Sequence, residues 1–295
     1  MPQTAVGLSI GMYSEMPYRR PFYIGGGIDM ADVTEQGSFS EHRLTADQIK
    51  IRKIGVYDLW QSLKEGYDDF RAKPSHIPFL ILMYALFAVL WSLYMVGHEL
   101  RYQAFPMVAG FNFLGPVVLI VLFEMSRRRE RGLELRWGAA FGFIHSSSFA
   151  PILALSIVMM LLYVGWLYMA ELIYFGLFGD YAPASMPEFI REVFTTRHGG
   201  ALLMYGNLVG FLFAFTALSL SVVAFPLILD KPVTSFTAMA VSVKAVMSNI
   251  SVMALWGLIV VAFLTLGATL FLIGLAVALP VLGHATWHLY RKIVE

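Results

Sequence analysis

The chain has 295 residues, 58% of them hydrophobic and only 14% charged, with a formal net charge of +1. An ordinary soluble domain carries roughly 25% charged residues, so this composition points to an integral membrane protein. The lack of cysteine excludes disulfides, thiolate metal sites, Cys-ligated iron–sulfur clusters and cysteine catalysis.

Residues 1–55 mix polar side chains with glycine and lack the basic-then-apolar opening of a secretory signal. They are expected to form a cytoplasmic N-terminal arm, with the first membrane helix serving as insertion signal. In this arm Gly25-Gly26-Gly27 lacks the strand, spacing and helix of a nucleotide-binding loop and reads as a hinge. Pro21-Phe22-Tyr23-Ile24 offers a partner-docking segment.

From residue 56 to 295 hydropathy predicts one helical membrane domain with six spans. These are Ile77–Gly97, Phe105–Met125, Pro151–Phe178, Ala201–Leu229, Val252–Phe271 and Gly274–Tyr290. The run Ile250–Tyr290 contains no acidic or basic residue. A single span needs roughly 20 apolar residues, so this run accommodates two, with Gly267 and Gly274 marking the turn. Of the 21 Lys and Arg, only Arg101, Arg191 and Arg197 fall on one side of this arrangement. Basic residues are retained in cytoplasmic loops, so both termini are expected in the cytoplasm. The segment after the third span is then external, and Met186–Thr196 suits a short surface helix with Pro187 in its first turn. Tyr102, Tyr163, Trp166, Tyr174, Trp287 and Tyr290 fall near span ends, where amphipathic rings favour the water interface.

A helix-compatible segment too short or too polar to cross precedes each odd-numbered span: Tyr57–Lys73, Arg136–Ser147 and Ser235–Ser248. In the first, Val56, Leu59, Trp60, Leu63, Tyr67 and Phe70 recur at steps of one to four residues, and Lys64, Asp68, Asp69 and Arg71 fill the other face. That is the pattern of an interfacial amphipathic helix. The even-numbered spans share an apolar-Pro-apolar element at Pro116, Pro226 and Pro280. The predicted fold is therefore all-α: six transmembrane helices as three hairpin repeats, each preceded by a cytoplasmic interfacial helix. The competing reading is coincidence of ordinary membrane composition.

The C-terminal third, from FPLILDKPVTSFTAMAVSVKAVMSNISVMALWGLIVV at Phe225 to GLAVALPVLGHATWHLYRKIV, resembles a family of uncharacterised prokaryotic integral membrane proteins. That family is a domain of unknown function, and some of its members carry the label of cytochrome c oxidase subunits. Its first part is also similar to the membrane domain attached to some glycerophosphodiester phosphodiesterases. The resemblance implies a bacterial inner-membrane protein and carries over no catalytic residue. A haem–copper oxidase core needs around six histidines on several helices, and only His284 and His288 fall within a predicted span. A catalytic oxidase subunit is excluded on that count, whereas an accessory role beside an oxidase is compatible with it.

His284 and His288 stand four apart, hence on one helix face. The spacing suits two ligands of one zinc or copper ion. No carboxylate or cysteine completes a motif, so a structural role facing Ser, Asn or backbone oxygen is expected, with no metal and no cofactor. His76 and His145 could approach the same level. Glu171, with Asn207 and Asn112, is the candidate for a polar cavity; its alternative is a place at the water interface. Arg127, Arg128, Arg129 and Arg131 form a positive-inside anchor and a candidate lipid-headgroup surface, with Glu124 pairing beside them. Gly206-x-x-x-Gly210 and Gly138-x-x-x-Gly142 permit close helix approach. Ser146 to Ser148, beside His145, reads as a helix break rather than part of a nucleophilic set. The basic residues flank spans and lack an aromatic-interleaved module, so the expected partners are membrane lipids and a larger membrane complex, with no nucleic acid. The functional expectation is a non-catalytic accessory, assembly or scaffold component of a membrane complex, respiratory or otherwise. The alternatives are a transporter or channel for a small or lipid-like solute, and, third, a lipid-modifying enzyme.

Overall fold

The computed structural model describes residues 43–74, 77, 81, 102–110, 115–181, 183–269 and 274–295. Nearly all of the expected span Ile77–Gly97 lies outside the described residues, as do the arm up to residue 42, His76 and Asn112. The chain divides into Met1–Ser40 and Glu41–Glu295, and every described residue belongs to the second unit.

The described residues are helical, with no strand among them. The elements are α1 (Val56–Ala72), α2 (Ala104–Gly110), α3 (Gly115–Val118), α4 (Ile120–Glu130), α5 (Trp137–Ala140), α6 (Phe149–Phe178), α7 (Met186–Thr195), α8 (Arg197–Ser221), α9 (Ala224–Asp230), α10 (Ser235–Ser248), α11 (Ile250–Thr269) and α12 (Leu275–Ile293). Among the described residues three runs are long and apolar enough to cross a membrane: Phe149–Phe178, Arg197–Asp230 and Ile250–Thr269. At about 1.5 Å per residue, the 30 residues of α6 exceed the roughly 30 Å hydrocarbon core. The helix stops at Gly179, whose φ of 58° disfavours any side chain.

The run Arg197–Asp230 is interrupted at Val222–Val223, between α8 and α9. Pro226 supplies the reason: it has no N–H for the Val222 carbonyl four residues back, and its ring crowds that carbonyl. The Val223 N–H donates instead to Ser242 Oγ of α10 at 3.2 Å. At the other end of α8, Thr196 Oγ1 accepts the Gly199 N–H at 3.0 Å. A Cβ on Gly199 would stand 2.3 Å from the Glu192 carbonyl oxygen, so glycine permits the tight corner between α7 and α8. The predicted surface helix is α7, with Pro187 in its first turn and Ser185 Oγ accepting the Glu188 N–H at 3.3 Å.

Two sequence expectations change in detail. Arg136–Ser147 is not one helix: it splits into α5 and a 3-10 turn, Gly142–His145, leaving α1 and α10 as the two continuous short helices of that kind. Gly138 and Gly142 weaken helix propagation there, and the serines bond elsewhere, Ser146 Oγ locally to the Phe143 carbonyl and Ser148 Oγ to the Ile228 carbonyl of α9. Within the region Phe105–Met125 the helix is interrupted at Leu119, between α3 and α4, and residues 111–114 lie outside the described residues.

The centre is α12. Trp287 and Tyr290, expected at the water interface, are 0% and 1% exposed, and Trp166 and Tyr174 of α6 are also enclosed. Trp166 donates to the Pro106 carbonyl at 2.8 Å, and its ring reaches 3.0 Å from where a Cβ of Gly210 would sit. Gly210 is therefore a packing position inside the bundle, whereas Gly206 meets nothing within 4 Å. The helix α1 lies on α12 through Leu59, Ser62, Gly66 and Asp69, all buried. A Cβ on Gly66 would come within 2.5 Å of the Ala285 backbone nitrogen, so the two helix backbones touch at this point. The opposite face of α1 exposes Tyr57, Trp60 and Tyr67.

The chain leading into α1 is fastened to the same end of the bundle. Ile51 bridges Val294, Arg52 N–H donates to the Ile293 carbonyl at 2.8 Å, and Leu44 N–H to the Pro232 carbonyl at 2.9 Å. The buried Asn249 side chain accepts the Ile54 N–H at 2.9 Å and donates to the Arg52 carbonyl at 3.1 Å. Residues 270–273 lie outside the described residues, but the glycines expected to flank the turn lie against each other: a Cβ on Gly274 would stand 2.7 Å from the Gly267 Cα.

Candidate functional site

The polar groups gather where α1, α4 and α12 meet. Helical periodicity explains the convergence: Glu65 and Asp69 share one face of α1, Ser126, Arg129 and Glu130 one turn of α4, and His284, His288 and Lys292 one face of α12. Asp69 is the hub, 6% exposed. Its Oδ2 accepts from Ser126 Oγ at 2.5 Å and from His288 Nε2 at 2.8 Å, and its Oδ1 accepts from the Arg129 guanidinium. Burial opposes ionisation of this carboxyl, but the hydrogen bonds from His288 and Ser126 outweigh it and hold the group below its ordinary value of 3.8.

Ser126, itself fully buried, lies 2.7 Å from His284 Nδ1. With Asp69 ionised, the Ser126 hydroxyl proton must point to the carboxylate, and its lone pair then accepts from the Nδ1–H of a neutral His284. The Nε2 of His284 is buried beside the Leu122 backbone, and among the described residues it makes no hydrogen bond of good geometry. On the outer side, His288 Nδ1 faces Glu65 at 3.5 Å, and Lys292 Nζ donates to Glu65 at 2.8 Å. A cleft of ≈ 560 Å³ opens here, lined by Glu65, Asp68, Asp69, Arg129, His288 and Lys292 among others.

A second node adjoins the first. Asp230, ending α9, accepts from Tyr290 Oη at 2.8 Å, Arg131 at 3.0 Å and Arg291 at 3.3 Å. Glu130 accepts from Trp287 Nε1 at 3.1 Å and Arg291 Nε at 2.9 Å.

These contacts redraw the sequence-derived candidates. Arg127 is bound to Glu124 at 2.7 Å and to the Leu229 carbonyl at 2.7 Å, and Arg128 to the Glu134 carbonyl at 3.0 Å. With Arg129 on Asp69 and Arg131 on Asp230, all four arginines brace the fold. His284 and His288 share a face but direct their bonds to Ser126 and Asp69 separately, and among the described residues no three His, Cys, Asp or Glu side chains converge in the geometry of a metal ion. His145 is exposed in its 3-10 turn.

Glu171 is half-buried and accepts from Tyr102 Oη at 3.4 Å, beneath the stacked Tyr102 and Tyr174 rings. Asn207 is exposed on the outside of α8. Asn112, the third residue of the expected polar cavity, lies outside the described residues. Beyond α6, Tyr181 Oη donates to Glu192 at 2.7 Å, and that bond pushes the Tyr181 phenol up to about 12.

The order of the buried chain matters chemically. A nucleophilic serine needs a base that takes its proton toward an exposed face. Here the hydroxyl is sealed, its proton is directed at a carboxylate, and His284 stands on the other side as donor. The network can hold helices in register and can hold a proton; it presents no open nucleophile. Asp69 and Ser126 were absent from the sequence-derived candidates, although Ser62, Gly66 and Asp69 repeat at helical spacing along one face of α1, and that small-small-acid stripe was the available signal.

An all-helical chain with three long apolar runs and a polar network at one end is an integral membrane protein. Residues 104–230 match an uncharacterised family described as predicted integral membrane protein (DUF2189). No curated protein and no solved structure matches the chain.

Proposed function

We propose that the protein is a non-catalytic component of a bacterial inner-membrane complex, acting as an accessory, assembly or scaffold element. The observation that carries this reading is the division of labour between polar and apolar groups. The charged side chains at the α1–α4–α12 junction are consumed in mutual pairing, while α6 and α11 direct large apolar side chains such as Leu161, Tyr168, Leu258 and Leu266 outward. Such faces suit lipid or another membrane protein. In this reading the chain has six spans with both termini cytoplasmic, α1 and α10 lying along the cytoplasmic rim as parts of a threefold hairpin repeat. Purification in a mild detergent, with mass spectrometry of co-migrating proteins, tests it. A stoichiometric membrane partner is the expected result, and a chain recovered without one under several extraction conditions would count against it.

A second reading, a proton-coupled transporter of a small solute, has one specific support. The hydrogen-bonded chain His288–Asp69–Ser126–His284 runs from the cleft to a buried imidazole nitrogen. Proton flux into proteoliposomes distinguishes the two: flux abolished by Ser126→Ala favours transport, and its absence favours the scaffold.

A further inference from the structure

The outward side of α8 carries a polar group that no lipid tail can satisfy. Gly200, Met204, Asn207, Phe211 and Ala214 recur at steps of four, three, four and three residues, and all five are exposed. Met204 and Phe211 are 58% and 65% exposed. Asn207 lies six residues from Ala201, where the expected span begins, which is roughly 9 Å along the axis and inside a roughly 30 Å hydrocarbon core. Its Nδ2 donates at 2.7 Å to the Leu203 carbonyl of its own helix. That bond uses one of the two amide hydrogens, and among the described residues no further hydrogen bond engages the Asn207 side chain.

We infer that the protein pairs with a second copy of itself along α8, with Asn207 meeting Asn207 across a twofold axis. Copies inserted in one orientation are related by an axis along the membrane normal, so the two Asn207 side chains stand at the same depth. An amide is both donor and acceptor and is therefore complementary to itself across such an axis. Lipid offers neither partner, and a different protein would need its own polar group at that depth.

The flanking residues suit a helix pair. Gly200 and Ala214 lie seven residues before and after Asn207, and a Cβ on Gly200 would meet nothing within 4 Å. Small residues one heptad on either side let the axes approach, while Met204 and Phe211 fill the spaces between. A repeat of 3.5 residues gives a left-handed crossing, and a lone Asn within such a seam fixes its register. The inference does not depend on the scaffold reading, since the same contact would form in a transporter.

The chain has no cysteine, so single replacements give clean reporters. Full-length protein in native membranes would carry Met204→Cys, Phe211→Cys or Ala214→Cys, with Gly206→Cys and Leu212→Cys as flanking controls. Oxidation should link the three seam variants into a species of twice the 33.0 kDa chain mass and leave the controls monomeric. Asn207→Leu, which suits lipid better than the native residue, should weaken association in detergent roughly fivefold, with Asn207→Gln retaining most of it. Crosslinks without the seam periodicity, an adduct of another mass, or a dimer indifferent to Asn207→Leu would each overturn the inference.

Discussion

Replacing Asp69 by alanine removes the acceptor of three donors on two other helices. Ser126 is fully buried and the His288 side chain is 17% exposed, so both lose a partner that water cannot readily replace. The Arg129 side chain is 40% exposed and can turn to solvent, so its share is discounted. Two bonds to a charged acceptor, each worth about 1.5–3 kcal/mol, give a loss of about 3–6 kcal/mol, close to the range of about 3–5 kcal/mol found when one member of a buried pair is removed. The loss should be local. Gly66 and Asp69 fasten α1 to α12, so the helix should open from the bundle before α6 and α11 are disturbed. Hydrogen exchange read by mass spectrometry, on protein in detergent at pH 7, should show Val56–Ala72 exchanging on the order of 10²–10⁴ times faster. The Asp69→Asn variant keeps the shape and part of the bonding and should fall between. Unchanged exchange in α1 of Asp69→Ala would refute the assignment of Asp69 as the fastening point.

Acid should act on the same contact. Asp69 is held below 3.8, so its contribution is complete at pH values above about 4 and is lost as pH falls through the lower folded-state value; exchange of α1 should rise only in that window, and Asp69→Asn should abolish the rise. Gly66→Val, whose Cβ would collide with the Ala285 backbone, should separate α1 from α12 at a cost of about 1–3 kcal/mol or more, visible as a lowered detergent melting temperature. A reporter fused after His198 should be active outside the cytoplasm and one after Glu295 inside it, and the reverse at either site would sink the orientation. Elemental analysis should find no stoichiometric transition metal; one that disappears in a His284→Ala, His288→Ala double variant would overturn the structural role given to both rings.

The two kinds of helix differ in how legible they are. The boundaries of α6, α7, α10 and α11 follow from uninterrupted apolar runs and from caps such as Ser185 and Thr234, which act within a few residues of sequence. The break at Val222 has a local cause in Pro226, although helices often bend at proline without stopping, and Ser242 from another helix decides the outcome by bonding Val223. The hub was hidden for a different reason. Asp69 sits beside Asp68 and Arg71, charged residues that hydropathy assigns to solvent. Its stripe with Ser62 and Gly66 is legible at helical spacing, but only the contact with α12 shows that this face is the buried one.

That contact also explains why hydropathy ranks the helices in an order unlike their burial. Within their most apolar windows, α6 is 22% buried and α11 only 17%. By contrast α12, which carries two histidines and ends in Arg291 and Lys292, is enclosed along most of its length. A helix facing lipid must be apolar all round, because nothing outside can accept a hydrogen bond. A helix enclosed by other helices can keep polar groups, provided its neighbours bring partners, and Asp69, Ser126 and Glu130 are those partners. Moderate hydropathy in α12 is thus the sign of a helix surrounded by protein. By the same reasoning Asn207, a polar group on a helix face that is exposed among the described residues, is the position at which the inferred second copy would supply a partner.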